Sequence, residues 1–248
     1  MNSFWSSENA IRFYRSHRSE SQSLYRSESV FLQHVVANSM SLLDVGCAVG
    51  GFSKIIREFK SAITYTGVDI SPRMIEEAHQ RFPSDDFRVI DGCILPFADD
   101  SFDAVISFGV LHMAETWKTL LTEGWRVCRQ HFLFDVRLVA EASTTDPATS
   151  YQKLAFDGKW DGMTTAPYFI VNIDEFMETL ASLSPRPSKV SAQGYFHPVS
   201  EMTVSPYSSV CMSSFCLGKA GDGECAFEWG LPIIPGKPLD HLFSGTTP

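Results

Sequence analysis

The chain is predicted to fold as an α/β domain. Its core is a mostly parallel sheet of seven strands with helices on both faces and the last strand antiparallel. Three observations predict this. Five strand-like apolar runs alternate with helix-period segments between residues 41 and 138. A glycine-bearing turn, Gly46 to Gly51, separates the first strand from its helix, where glycine permits a tight bend and close backbone approach. Two further strand patterns follow a helix near 174–183 and are joined by a moderately short link, 197–207, which suits an antiparallel pair.

The elements follow in order. Residues 1–40 read as an N-terminal helical lid of two short helices. Phe4 and Trp5 precede Ile11, Tyr14 and Arg18, and Val30, Phe31, His34 and Val35 repeat at helical spacing after a serine-rich stretch. A plain packing role for these helices is the competing reading. Strand one is 41–46, and the next helix carries the stripe Phe52, Ile55, Ile56, Phe59. Strand two is 63–69. Its helix opens with Ser71 as N-cap and Pro72 at the first position, with Met74, Ile75, Ala78 and Phe82 inward. Strands three, four and five are 87–91, 102–109 and 131–138, with a helix through Trp117, Leu120, Leu121 and Val127 between the last two. Right-handed crossovers then build a parallel sheet. Residues 139–172 form a long polar insert; its aromatics Tyr151, Phe156, Trp160, Tyr168 and Phe169 predict an ordered substrate cap. The last strands are 189–196 and 208–217, so the main domain spans 41–218. The tail, 219–248, holds a Phe227-Glu228-Trp229 island that either docks or frays.

Composition narrows the function. With 248 residues, 44% of them apolar and 20% charged, the chain fits one domain with additions. A net charge of −9 and the lack of a Lys/Arg cluster argue against nucleic acid as a partner. Six cysteines, with no CxxC pair and no zinc spacing, point to a reducing, cytoplasmic setting and to no metal. No segment reaches the roughly 18 apolar residues of a membrane span. Met1 to Ser16 has no apolar run of the signal-peptide kind. The expected partner is a small-molecule substrate, and the expected assembly a monomer or homodimer.

Four loops fall at the carboxyl ends of consecutive strands, where open α/β sheets bind ligands. The first is the glycine turn, with Asp44 two residues before Gly46. A carboxylate there repels a diphosphate and suits a cationic amine, which points to S-adenosylmethionine rather than NAD. The second is Asp69, followed by Ile70, placed to accept ribose hydroxyls. The third is Asp91-Gly92, placed at an adenine edge. The fourth is Ser107 to Met113, where the transferred group belongs. These pieces resemble the class I S-adenosylmethionine-dependent methyltransferases, in particular the small-molecule group that includes the ubiquinone-biosynthesis C-methyltransferases. The resemblance rests on Leu43–Gly50, Gly67–Ile75, Asp91 with Leu95-Pro96-Phe97, Ser101-Phe102-Asp103 and Val110-Leu111-His112. It implies a Rossmann-like sheet, with S-adenosylmethionine as cofactor and S-adenosylhomocysteine as product. It also implies that Asp44, Gly46, Cys47, Ala48 and Gly50 hold the methionine part. Asp69 would hold the ribose, Ile70 and Met74 flank the adenine, Asp91 and Gly92 read its edge, and Phe108 floors the sulfonium. Ala48 replaces the family's middle glycine, a change expected to be tolerated because only the outer glycines demand unusual backbone angles. The family's Lys-Pro-Gly-Gly turn is replaced by Cys128-Arg129-Gln130-His131. Met74 also reads as core packing, and Asp103 as structural.

Methyl transfer is an in-line displacement, and orientation alone supplies roughly 7–11 kcal/mol of barrier reduction. His112 is the candidate catalytic base, because its ordinary pKa lies near neutrality; a packed histidine is the alternative. Arg137, Tyr195, His197 and Trp160 are candidate substrate contacts, with a surface salt bridge the alternative for Arg137. Arg18 and Tyr25 are candidates to close over the cofactor carboxylate. Competing functions are a protein or RNA methyltransferase, a non-catalytic cofactor-binding scaffold and, on the loose fit of Gly46-x-Ala48-x-x-Gly51, an NAD-dependent oxidoreductase.

Overall fold

A computed structural model describes residues 5–155, 158–219 and 225–243. Phe4, Phe156 and parts of the predicted tail lie outside the described residues. In chain order the elements are α1 (Glu8–Ser16), α2 (Arg26–Ala37), β1 (Ser41–Val45), α3 (Gly51–Phe59), β2 (Thr64–Asp69), α4 (Pro72–Arg81), β3 (Asp86–Val89), β4 (Phe102–Ser107), α5 (Trp117–Val127) and β5 (Cys128–Val139). There follow β6 (Tyr151–Lys153), β7 (Thr165–Pro167), β8 (Val171–Asn172), α6 (Ile173–Ala181), β9 (Lys189–Pro198), β10 (Thr203–Val204), β11 (Ser209–Gly218), β12 (Ala226–Gly230) and α7 (Leu239–Phe243).

The central sheet runs β12-β9-β11-β5-β4-β1-β2-β3, with the two-residue β8 paired beside β5. Seven of these are the predicted strands. Of these, only β11 runs antiparallel, to both β5 and β9. The sheet exceeds the expected seven because β12, from the predicted tail, pairs in parallel with β9, so the described part of the tail docks on the domain. β1 and β4 sit between parallel neighbours and read as near-continuous apolar runs, as strands covered on both faces must. Successive side chains alternate faces. Leu42, Ala104, Ile106 and Leu133 pack under α2, α3 and α4, while Leu43, Val45, Val105 and Phe134 pack under α5 and α6.

Local signals set the helix starts. Ser71 Oγ accepts from Met74 N at 3.4 Å with Pro72 behind it, and Asn172 Oδ1 accepts from the backbone of Asp174 and Glu175 at the start of α6. Asp103 has the structural role expected of it: Oδ2 accepts from Met40 N and Ser41 N, and Oδ1 pairs with Arg129 at 2.9 Å. Where the Lys-Pro-Gly-Gly turn was expected to be merely shortened, α5 passes into β5 with no intervening loop.

The insert 139–172 is ordered by two antiparallel strands. Together with β10 from the β9–β11 link, they make a separate three-stranded sheet, β10-β6-β7. The cap therefore has two chain-distant walls, which the sequence reading had not joined. At the other end α1 lies on the glycine turn. Ala10 and Ile11 pack with Val49 and Met74, and Arg15 clamps Glu77 through two hydrogen bonds of 2.6 Å. The inward face of α2 differs from the predicted stripe. Val30 is exposed, and Glu28, Leu32, Val35 and Val36 face in, because Glu28 is held by a partly buried partner described below.

Candidate functional site

One cavity of about 930 Å³ crosses the carboxyl ends of the parallel strands, at the upper end of the roughly 300–1,000 Å³ range of small-molecule sites. One half lies over β1, β2 and β3, where Gly46, Ala48, Asp69, Ile70, Met74 and Gly92 line it. The other lies over β5, β11 and β9, where Arg137, Met212, Val210 and His197 line it. Phe108 and Gly109, at the end of β4, stand between them. From β2 to β9 are five strand spacings, about 24 Å at about 4.8 Å each.

The turn after β1 is built for close approach to a ligand. Gly46, Ala48 and Gly50 have φ of +81°, +47° and +76°. The expectation for Ala48 is thus corrected: the middle position is also left-handed, a conformation that costs a residue with a Cβ roughly 1–2 kcal/mol. Gly46 has a second reason to lack a side chain, since a Cβ there would lie 2.3 Å from Val110 Cγ2. Asp69 anchors the turn from below: Oδ2 accepts from Ala48 N at 3.0 Å and Oδ1 from Ser71 N at 2.9 Å. Burial nevertheless raises its carboxyl above the usual carboxylate range, against those backbone donors.

Asp44 is not at the cavity wall. It is 3% exposed, sits behind the turn and accepts from Tyr65 Oη at 2.5 Å. Burial pushes it up to about 7, so the freely ionised anion expected to face an ammonium is instead a buried, partly protonated group. Cys47 and Gly50 likewise support the turn without lining the cavity; Cys47 Sγ fills the space beside Gly67. Gly92 lines the cavity at φ +83° with room around it, whereas Asp91 is exposed and does not. Met74 lines the cavity and also packs against α1.

Arg18 and Tyr25 reach the cavity from the N-terminal segment. The Arg18 guanidinium lies 4.8 Å from the Tyr25 ring centre and 5.2 Å from that of Phe52, and it pairs with Glu28 at 2.8 Å. Glu28 is fully buried and also accepts from Tyr25 N at 2.9 Å. Burial pushes its carboxyl up despite Arg18. Sequence reading missed Glu28; the capping spacing from Tyr25 to Glu28 was its only signal.

At the other half, Arg137 is 4% exposed, which corrects the alternative of a surface salt bridge. Its Nη1 donates to Asp135 Oδ2 at 2.6 Å, and Asp135 Oδ1 accepts from Gly109 N at 2.6 Å. Burial works against both charges. Even so, Arg137 and the Gly109 N–H hold Asp135 below the ordinary carboxylate range, and Asp135 in turn raises Arg137. Asp135 was also missed, although two opposite charges at i and i+2 in an apolar strand must share one face. His112 is buried, stands edge-on to Tyr168 at 5.4 Å and leaves Nδ1 without a partner. Burial and the neighbouring Arg137 cation push it down to about 3, so its titration is far from the neutral value expected. Arg137 Nε and Ser107 Oγ are the other buried polar atoms with no partner among the described residues. His197 is exposed at the rim, with Nδ1 against Pro198 O at 2.7 Å. Tyr195 and Trp160 do not line the cavity. Trp160 donates to Thr164 O at 2.9 Å and stacks under Lys153.

The doubly covered sheet, the left-handed turn after β1 and the acidic end of β2 define a class I nucleotide-binding methyltransferase fold. Residues 43–133 match the family described as a methyltransferase domain. Among curated proteins it is similar to the demethylmenaquinone methyltransferase of Thermotoga maritima, 31% identical over 103 residues, which cover 41% of this chain and 43% of the relative. It is also similar to the fatty-acid O-methyltransferase of Mycolicibacterium smegmatis, 35% identical over 126 residues, 47% of this chain and 45% of the relative. Each match spans less than half of the relative's length. A solved structure with the same fold is the O-methyltransferase from a trans-AT PKS multienzyme of Brevibacillus brevis in complex with S-adenosyl-L-homocysteine. Its TM-score is 0.56 at 14% identity, covering 79% of this chain and 72% of that one.

Proposed function

We propose that the protein transfers a methyl group from S-adenosylmethionine to a small-molecule acceptor by in-line displacement, leaving S-adenosylhomocysteine. The observation that carries this reading is the single cavity with two unlike halves. One is bounded by a left-handed glycine turn and a strand-end carboxylate, and the other by methionines, an aromatic pair and a buried arginine. The residues fit the cofactor: Gly46 offers backbone without a side chain, Gly92 leaves open space, and Asp69 lines the cavity at the end of β2.

When bound, S-adenosylmethionine supplies an electrophilic methyl on sulfur. The chain's own groups do the rest. Asp69 accepts the ribose hydroxyls, Ile70 and Met74 flank the adenine, and Gly92 borders its edge in place of the exposed Asp91. Arg18 and Tyr25 cover the donor's carboxylate, held there by Glu28. Asp44 acts by stiffening the turn through Tyr65. Phe108 and Gly109 separate donor from acceptor, and the cap of β6, β7 and β10 excludes water. Fixing the two reactants in line is worth roughly 7–11 kcal/mol, which leaves little for a proton-transfer group to supply. The two curated relatives are named for methylating demethylmenaquinone and a fatty acid, and the methionine-lined half suits an acceptor with an apolar body.

Calorimetry with S-adenosylhomocysteine tests the reading. Asp69→Ala is expected to weaken binding more than tenfold, at the order of a lost hydrogen bond to a charged group. Unchanged affinity would refute the ribose role.

A further inference from the structure

We propose that the acceptor half is built for an amphiphilic carboxylic acid. Its ionised carboxylate docks on the Arg137 guanidinium beside His112, and its apolar body lies along Met113, Met202, Met212 and Val210. This rests on the methyl-transfer reading and names the acceptor class for it.

Four features support it. Arg137 is nearly buried, donates Nη1 to Asp135, lies within hydrogen-bonding reach of the Tyr168 hydroxyl, and leaves Nε, one of a guanidinium's five donors, without a partner. Its planar fork matches a carboxylate better than any other side chain does. Asp135 is already engaged by Arg137 and by Gly109 N, and Glu28 by Arg18 and Tyr25 N, so neither carboxylate competes for the incoming acid or faces the cavity. Arg137 and Asp135 together are neutral, so an arriving carboxylate is held by the hydrogen-bonding fork of Arg137 and not by a net positive charge.

Charge bookkeeping also favours an acceptor that arrives without its proton. A phenol, alcohol or ammonium needs a group to receive that proton. The acceptor half offers His112, which is buried beside a cation, and His197, which sits at the exposed rim with Nδ1 turned to the Pro198 carbonyl. A carboxylate with an ordinary pKa near 4 needs neither. The carboxylate oxygen forms the new C–O bond as the C–S bond breaks and its electron pair returns to sulfur. The acid becomes a methyl ester, one negative and one positive charge cancel, and no proton is released.

The apolar body has its own wall. Four of the chain's eight methionines line the cavity, and three of them, Met113, Met202 and Met212, lie outside the cofactor half. Methionine's unbranched, polarisable side chain adapts to flexible apolar ligands. Met202 comes from the β9–β11 link and faces the Leu154 stretch of the insert, whose Lys153 N donates to Met202 O at 2.7 Å. The two cap segments are thus stitched together over this half.

The test is calorimetric binding to the full chain saturated with S-adenosylhomocysteine, using octanoate and 1-octanol as probes. Octanoate is expected to bind at least tenfold tighter than 1-octanol. Arg137→Lys keeps a cation opposite Asp135 but loses the fork, and is expected to cut that preference to about threefold or less; Arg137→Gln should abolish it. Equal affinity for the two probes, no binding of either, or a preference that survives Arg137→Lys would overturn the proposal. If Arg137→Gln does not fold, the wild type and the lysine variant decide. Failure of S-adenosylhomocysteine to bind the wild type would remove the methyl-transfer reading instead. An Arg137-dependent octanoate preference, measured without the nucleotide, would then leave the acid subsite standing.

Discussion

His112 offers the sharpest physical prediction. In the folded chain burial and the Arg137 cation push its pKa down to about 3, whereas an unfolded histidine titrates near 6.5. The folded state therefore resists protonation and the unfolded state does not. Between these two values the unfolded chain binds one more proton, so stability rises with pH. The contribution of neutral His112 is fully present above about 6.5 and is lost as pH falls toward 3, at about 1.4 kcal/mol per unit. From pH 6.5 to pH 5 the loss is about 2 kcal/mol, or a fall in melting temperature of about 4–8 °C for a chain of this size. Thermal melts at pH 7.5 and 5.0 on the wild type and on His112→Gln isolate the effect. The variant should lose that share of the pH slope while keeping the rest, to which buried Asp44 contributes with the opposite sign, because its raised carboxyl lets the folded state bind a proton as pH falls below about 7. Identical slopes would refute the reasoning, as would a ring that titrates near neutrality by NMR. The second result would also restore His112 as an ordinary general base.

Two further outcomes follow from the N-terminal ion pair and from the cofactor turn. Glu28→Gln leaves the Arg18 guanidinium without its anion. Arg18's side chain is 20% exposed and can partly recover solvent, so the expected cost is about 3 kcal/mol, the low end for a broken buried pair, and a fall of about 6–12 °C in melting temperature. A variant that melts with the wild type would mean the pair holds nothing in place. Asp69→Ala removes the acceptor of Ala48 N and Ser71 N and should lower the melting temperature of the unliganded chain as well as nucleotide affinity; a loss of fold stability with unchanged affinity would reverse its assigned role.

Much of the sheet was legible because parallel strands covered on both faces carry long apolar runs, and because Ser71-Pro72 and Gly46–Gly51 punctuate them. The lining residues Asp69, Ile70, Gly92 and Phe108 were legible for the same reason, being the residues at or just beyond the strand ends. What stayed hidden depends on distant partners. Asp44 looks like an exposed strand-end anion until Tyr65, 21 residues on, is seen to cap it. The inward turn of α2 follows from Arg18 reaching Glu28, a contact between two polar residues that helical periodicity would assign to solvent. Ala48 drew no attention as a left-handed residue because φ is set by the turn and not by the residue type. The cap was read as one segment, since nothing local marks 203–204 as the strand that pairs with 151–152. β12 was hidden because Ala226–Gly230 has no apolar run, with Glu228 between Phe227 and Trp229 and a glycine at its end.

The most direct test of the proposed S-adenosylmethionine site is a comparison of melting temperature with S-adenosylhomocysteine and with NAD, each well above its expected dissociation constant. A ligand at about a hundred times its dissociation constant adds about 2.7 kcal/mol, which for a chain of this length is a rise of about 5–11 °C. The account predicts that rise with S-adenosylhomocysteine and none with NAD; a rise with NAD alone would contradict it.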